Sequence, residues 1–145
     1  MNEISSEVIR RCEAIEEAYE FMLAYAGQGL VQEAATGPGA AIREHLRRID
    51  SAIQGLDDLF RRATALERLP GTEELEAFLP TLARDGEASR AAVRLVLAQP
   101  AIGSQLIDNL NASIHLRALL TDLFLLGEII RSHAGSRDID RNHPA

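Results

Sequence analysis

Ile42, Leu46, Ile49, Ile53, Leu56, Phe60 and Ala63 recur at spacings of four and three, without a break, over six intervals. Only a helix places such a series on one line, and only a helix pressed against others keeps that line apolar for so long. No run of alternating polar and apolar residues competes with it, so the chain is read as all-α.

Four segments in all carry a helical period. The first spans about Ser5 to Ala26, with Val8, Cys12, Ile15, Tyr19, Met22 and Ala26 on one stripe. Gly27 and Gly29 close it, since glycine tolerates the left-handed backbone of a helix end. The second, carrying the long stripe, begins at Pro38 and ends at Pro70-Gly71. The third opens at Thr72 as N-cap, with Glu73, Glu74 and Glu76 at the positive end of the helix dipole. Pro80 and the Asp85-Gly86 pair predict that this helix is kinked or split between Pro80 and Gly86. The fourth runs from near Pro100 to about His133.

Segments of this length joined by short connections predict an up-down-up-down four-helix bundle over residues 1–134. Residues 28–39 form the one long loop. The polar stretch 135–145 is expected to be a disordered tail.

Composition narrows the function. The 145 residues carry a net charge of −7, and all fifteen basic residues are arginine. The negative balance argues against nonspecific binding to nucleic acid or to an anionic membrane. The absence of lysine excludes Schiff-base chemistry and a lysine phosphate clamp. Cys12 is the sole cysteine, so no internal disulfide forms, which fits a reducing, cytoplasmic setting. No secretory leader and no long uncharged apolar run are evident.

Catalytic and cofactor motifs are missing. A di-iron carboxylate bundle requires Glu three residues before His, but His45, His115 and His133 follow Ile42, Ala112 and Ile130 at that distance. A single cysteine rules out C-x-x-C-H haem attachment. No catalytic residue, metal or cofactor is therefore assigned.

What remains is surplus apolar surface. Ala14, Ala18, Phe21 and Tyr25 make a second stripe beside the core line of the first segment. On the fourth segment Leu125 and Ile129 point away from the expected core, and Ser104, Asp108, Asn111, His115 and Asp122 are taken as its narrow polar face. These six residues (Ala14, Ala18, Phe21, Tyr25, Leu125, Ile129) are the expected protein interface, serving a homodimer or a larger partner. Charge is clustered too. Glu13, Glu16, Glu17 and Glu20 form an acidic patch, and Arg43, Arg47, Arg48, Arg61 and Arg62 give the second segment a basic character.

Two readings compete with a plain interaction protein. Arg117, Thr121 and Glu128 share a stripe near the apolar side of the fourth segment, where a half-buried arginine calls for a carboxylate or an anionic ligand. His45, followed by Arg48, resembles the phosphoaccepting histidine of the bundle phosphotransfer domains of two-component signalling. Ile49 stands where those domains carry a glycine. Leu46 to Asp50 also resembles a segment of the helical chorismate mutases, which depend on a lysine that this chain lacks.

Overall fold

The computed structural model describes residues 2–142, and every regular element among them is helical. The helices are α1 (Glu3–Ala26), α2 (Ile42–Ile53), α3 (Leu56–Glu67), α4 (Thr72–Leu97), α5 (Ser104–Ala112) and α6 (Ile114–Asn142), with a short 3-10 turn at Pro38–Ala41 before α2.

Two of the four expected segments are each broken once. The long stripe is shared by α2 and α3, which are separated by extended Gln54 and left-handed Gly55 (φ 70°). The break leaves the seam in phase: Ile53 and Leu56, on either side of it, are both buried. The fourth segment breaks at Ser113, whose ψ of 140° ends α5. Its hydroxyl then accepts the Leu116 amide at 3.3 Å and so starts α6. Ser89 on α4 donates to the exposed-end carbonyl of His115 at 2.9 Å, tying the new helix to its neighbour.

Of the kink or split expected between Pro80 and Gly86, the split is absent, because α4 is continuous from Thr72 to Leu97. Pro80 lies on the exposed face, so the carbonyl it leaves unbonded, that of exposed Glu76, is open to water. Leu79 and Leu82 beside it are buried and hold the helix in place. Gly86 is a packing position rather than a turn: a Cβ there would lie 3.0 Å from the Ile53 side chain. Thr72 also departs from the sequence reading. It lies inside the helix, donating its hydroxyl to the Leu69 carbonyl at 3.0 Å, and Gly71 precedes it in the left-handed conformation.

α1 is started by Asn2, whose side chain accepts the Ser5 amide at 2.9 Å. It packs against α2, α3, α5 and α6, while α4 packs against α2, α3 and α6. The core between them is aliphatic, built on Val8, Cys12 and Ile15 of α1, Leu46 and Ile49 of α2, Leu82 and Val93 of α4, and Leu119 and Leu123 of α6. Burial pushes the Cys12 thiol up to about 12, with Glu16 adding to the shift, so it stays protonated at neutral pH.

The helical backbone of α6 continues through Asn142, past Gly135, where the sequence reading placed the start of a disordered tail. Residues 143–145 of that expected tail lie outside the described residues.

Candidate functional site

The second stripe of α1 turns toward α2 and the 98–103 connection. Ala18 and Tyr25, expected at an interface, are interior residues. The Tyr25 hydroxyl donates to the Ile102 carbonyl at 2.6 Å, and its own carbonyl accepts the Ser104 hydroxyl at 2.7 Å. An aromatic ring with both of its polar ends satisfied inside the chain is an anchor of the fold, not a contact left for a partner. Ala14 and Phe21 are half-buried.

Phe21 stacks on His45, with ring centroids 3.9 Å apart and planes 16° from parallel. His45 is half-buried, and its Nδ1 is buried with no hydrogen-bond partner. Burial, with Arg48 nearby, holds its pKa below the usual histidine range, against a smaller pull from Glu44. The arrangement is that of a neutral ring filling the α1–α2 seam.

Arg117, Thr121 and Glu128 are not brought together in a pocket. All three are exposed. Thr121 donates to the Arg117 carbonyl of its own helix at 2.9 Å, and Glu128 accepts from Ser132 at 2.9 Å. The stripe taken as polar and outward is in large part the inward one: Ser104, Asn111 and Asp122 are buried, whereas Asp108 and His115 are exposed.

Each of these interior polar groups meets another element. Ser104 accepts the Leu30 amide at 2.9 Å as well as donating to Tyr25. Asn111 donates to the Met22 carbonyl at 3.0 Å. Asp122, only 6% exposed, has its carboxyl pushed up to about 7 by burial and by the hydrogen bond and charge of Asp85 on α4.

Other polar ties were not singled out from sequence. Glu33, in the long loop, pairs with Arg43 at 2.5 Å and accepts the Ile102 amide at 3.0 Å. The Ile102 bond, then Glu33's own amide and Arg43, outweigh burial and hold this carboxylate below its usual range. Arg43 also donates to the carbonyls of Leu97 and Gln99 at 2.9 and 2.8 Å, so one guanidinium clasps the ends of two loops. Gly103 lets those loops meet, because a Cβ there would lie 2.9 Å from the carbonyl oxygens of Leu30 and Val31. At the other end, buried Glu67 accepts from Asn2 and Ser5 at 2.9 and 3.1 Å, and its carbonyl lies 3.0 Å from His133 Nε2. The signal for all of these would have been a partner across the chain, which a periodicity of three and four does not record.

Two surfaces stand out from this closed interior. One is an apolar groove between the start of α4 and the middle of α6, of about 280 Å³, lined by Pro70, Leu75, Phe78, Leu125, Leu126 and Ile129. Leu125 is 54% exposed, and Phe124 beside it is 56% exposed. The other is a groove of about 520 Å³ between α1 and α2 that carries four arginines. Among the described residues no helix is long and apolar enough to cross a membrane, and no cluster of three or more metal-ligating side chains forms.

No known protein family matches this chain, and neither curated proteins nor solved structures give a match.

Proposed function

We propose that this chain is a non-enzymatic, cytoplasmic helical interaction protein: an adaptor, regulator or assembly factor that works as a homodimer or on a larger protein partner. The supporting observation is the α4–α6 groove, whose lining residue Leu125 is more than half exposed, as is its neighbour in sequence, Phe124. Adjacent exposed side chains of this size favour a covering surface. Of the six residues expected at an interface, Leu125 and Ile129 are the two that line this groove. The wider architecture we read as an up-down-up-down bundle of four legs, α1, α2–α3, α4 and α5–α6. In support, α1 lies against both composite legs and α4 lies against both as well.

The phosphotransfer alternative has less behind it, since His45 sits under Phe21 rather than free at the surface. A ligand site at Arg117 likewise lacks an enclosing pocket.

Light scattering tests the leading reading. The wild type is expected at twice its 15.9 kDa chain mass at micromolar concentration. Phe124→Glu combined with Leu125→Glu is expected to give folded monomer with unchanged circular dichroism. A wild-type monomer would remove self-association, and a double variant that stays dimeric would place the contact elsewhere.

A further inference from the structure

The two walls of the α1–α2 groove repeat one local pattern. Glu7-Val8-Ile9-Arg10-Arg11 on α1 and Glu44-His45-Leu46-Arg47-Arg48 on α2 both place a glutamate three and four residues before an arginine pair. That spacing sets each glutamate on the same helix face as the arginines that follow it. Glu7 holds Arg10 at 2.7 Å and Arg11 at 3.0 Å, and Glu44 holds Arg48 at 2.9 Å. Arg47 is exposed and makes no hydrogen bond or ion pair among the described residues.

The helices run antiparallel here. Arg11 donates to the Gln54 carbonyl, and Phe21 stacks on His45. Between those two fixed levels, Arg47 and Arg48 fall near Ala18 of α1, so the arginine pairs stand at opposite ends of the groove. At 1.5 Å per residue the two pairs are separated along the axis by roughly 10 Å. The floor between them is made of small side chains: Ala14, Ser51 and Ala52.

This layout selects among anions. A compact polyphosphate needs its positive charges gathered at one point, whereas here they are split between two ends and each end also carries a glutamate. An α-helix with carboxylates two turns apart places its charges about 10.5 Å apart, which matches the separation of the pairs. A floor of small residues lets a helix backbone come close, and guanidinium forks suit carboxylates. The groove is a local excess of positive charge, four arginines against two glutamates, on a molecule of net charge −7.

We propose that the α1–α2 groove binds an acidic helical segment of a partner protein, gripping carboxylates seven residues apart between Arg10–Arg11 and Arg47–Arg48. This rests on the reading of the chain as an interaction protein, but it concerns a different pair of helices from the α4–α6 groove.

The probe is a labelled alanine-rich helical peptide bearing two glutamates seven positions apart, titrated against the full chain by fluorescence anisotropy at low salt. Saturable binding is expected, weakened at least tenfold by Arg10→Gln with Arg47→Gln and weakened by added salt. The chain supplies its own control. Asp58-Leu59-Phe60-Arg61-Arg62 on α3 repeats the pattern outside this groove, so Arg62→Gln is expected to leave binding unchanged. Circular dichroism of each variant verifies folding, and the milder single change Arg47→Gln gives a second reading if the double variant unfolds. The proposal is overturned if the peptide fails to bind, if a peptide with adjacent glutamates binds equally well, if Arg62→Gln is as harmful as the groove variants, or if inorganic pyrophosphate binds more tightly than the peptide. None of these outcomes alters the mass measured by light scattering, so this site and the α4–α6 contact fail independently.

Discussion

The seam of α2–α3 and that of α5–α6 are both buried along one face, yet they are written in different alphabets. The first is apolar at every position from Ile42 to Ala63, and it survives a helix break at Gly55 without losing phase. The second sets Ser104, Asn111 and Asp122 among its leucines and isoleucines, and each of these reaches a neighbouring element. The first seam is apolar along its line, and the polar ties of its helices, such as those from Arg90 and Arg94 to Asp50, lie beside that line. The other adds directional bonds that fix where α5 and α6 sit against α1 and α4, at the cost of taking polar groups out of water. A single substitution should therefore fail differently in the two seams.

The largest effect is expected at Leu46, fully buried in the apolar seam. Leu46→Asp would strand a charge with no partner built for it and should cost about 4 kcal/mol or more, enough to unfold many domains of this size. Urea denaturation measures it. Tolerance of the change would mean that the seam is not a continuous core.

Ser104→Ala comes next. It removes a donor to Tyr25 and an acceptor for Leu30, leaving the Leu30 amide without its partner. A loss of roughly 1–3 kcal/mol is expected. Because those bonds join the start of α5 to the end of α1 and to the loop at Leu30, hydrogen exchange should quicken at Leu30 before it quickens in α2. Uniform acceleration would erase the distinction between the two seams.

The smallest effect depends on pH. The folded Asp122 carboxyl titrates at about 7, above the ordinary aspartate value of 3.8. Between those values the folded state holds more protons than the unfolded state, so its contribution to stability is present at low pH and is lost as pH rises from about 4 to 7. Asp122→Asn keeps the shape without the charge. The Tm of the wild type should fall between pH 5 and pH 8, and that of the variant markedly less. Equal slopes would mean that Asp122 is ordinarily solvated.

The same contrast explains what could be read in the sequence. Helical periodicity gave the all-helical class and the buried lines of α2 through α4, because apolar spacing and burial coincide there; on α1 it put Tyr19 and Ala26 on the core line, where the fold leaves them half-buried and buries Ala18 and Tyr25 instead. It failed in α5–α6 because Ser104, Asn111 and Asp122 look like solvent-facing residues until their partners are known. It also failed at Ser113, where one extended residue shifts the phase and leaves Arg117, Thr121 and Glu128 facing outward. Pro80 and Gly86 look like a breaker pair in one dimension, but one faces solvent and the other makes room for Ile53. Tyr25 and Ala18 lie on the flank of α1 that meets α2 and the 98–103 connection, so that helix needs a wider apolar face than a single stripe supplies.

The reach of α1 has a consequence for how the chain is made. Two of its buried bonds, Tyr25 to Ile102 and Met22 to Asn111, span 77 and 89 residues. During synthesis α2 and α3 are available to cover one side of α1 well before α5 and α6 have left the ribosome. At about 5–20 residues per second, the 77 to 89 residues between those partners take on the order of 4–20 seconds to make. Through that interval the Met22 and Tyr25 side of α1 waits without its permanent cover.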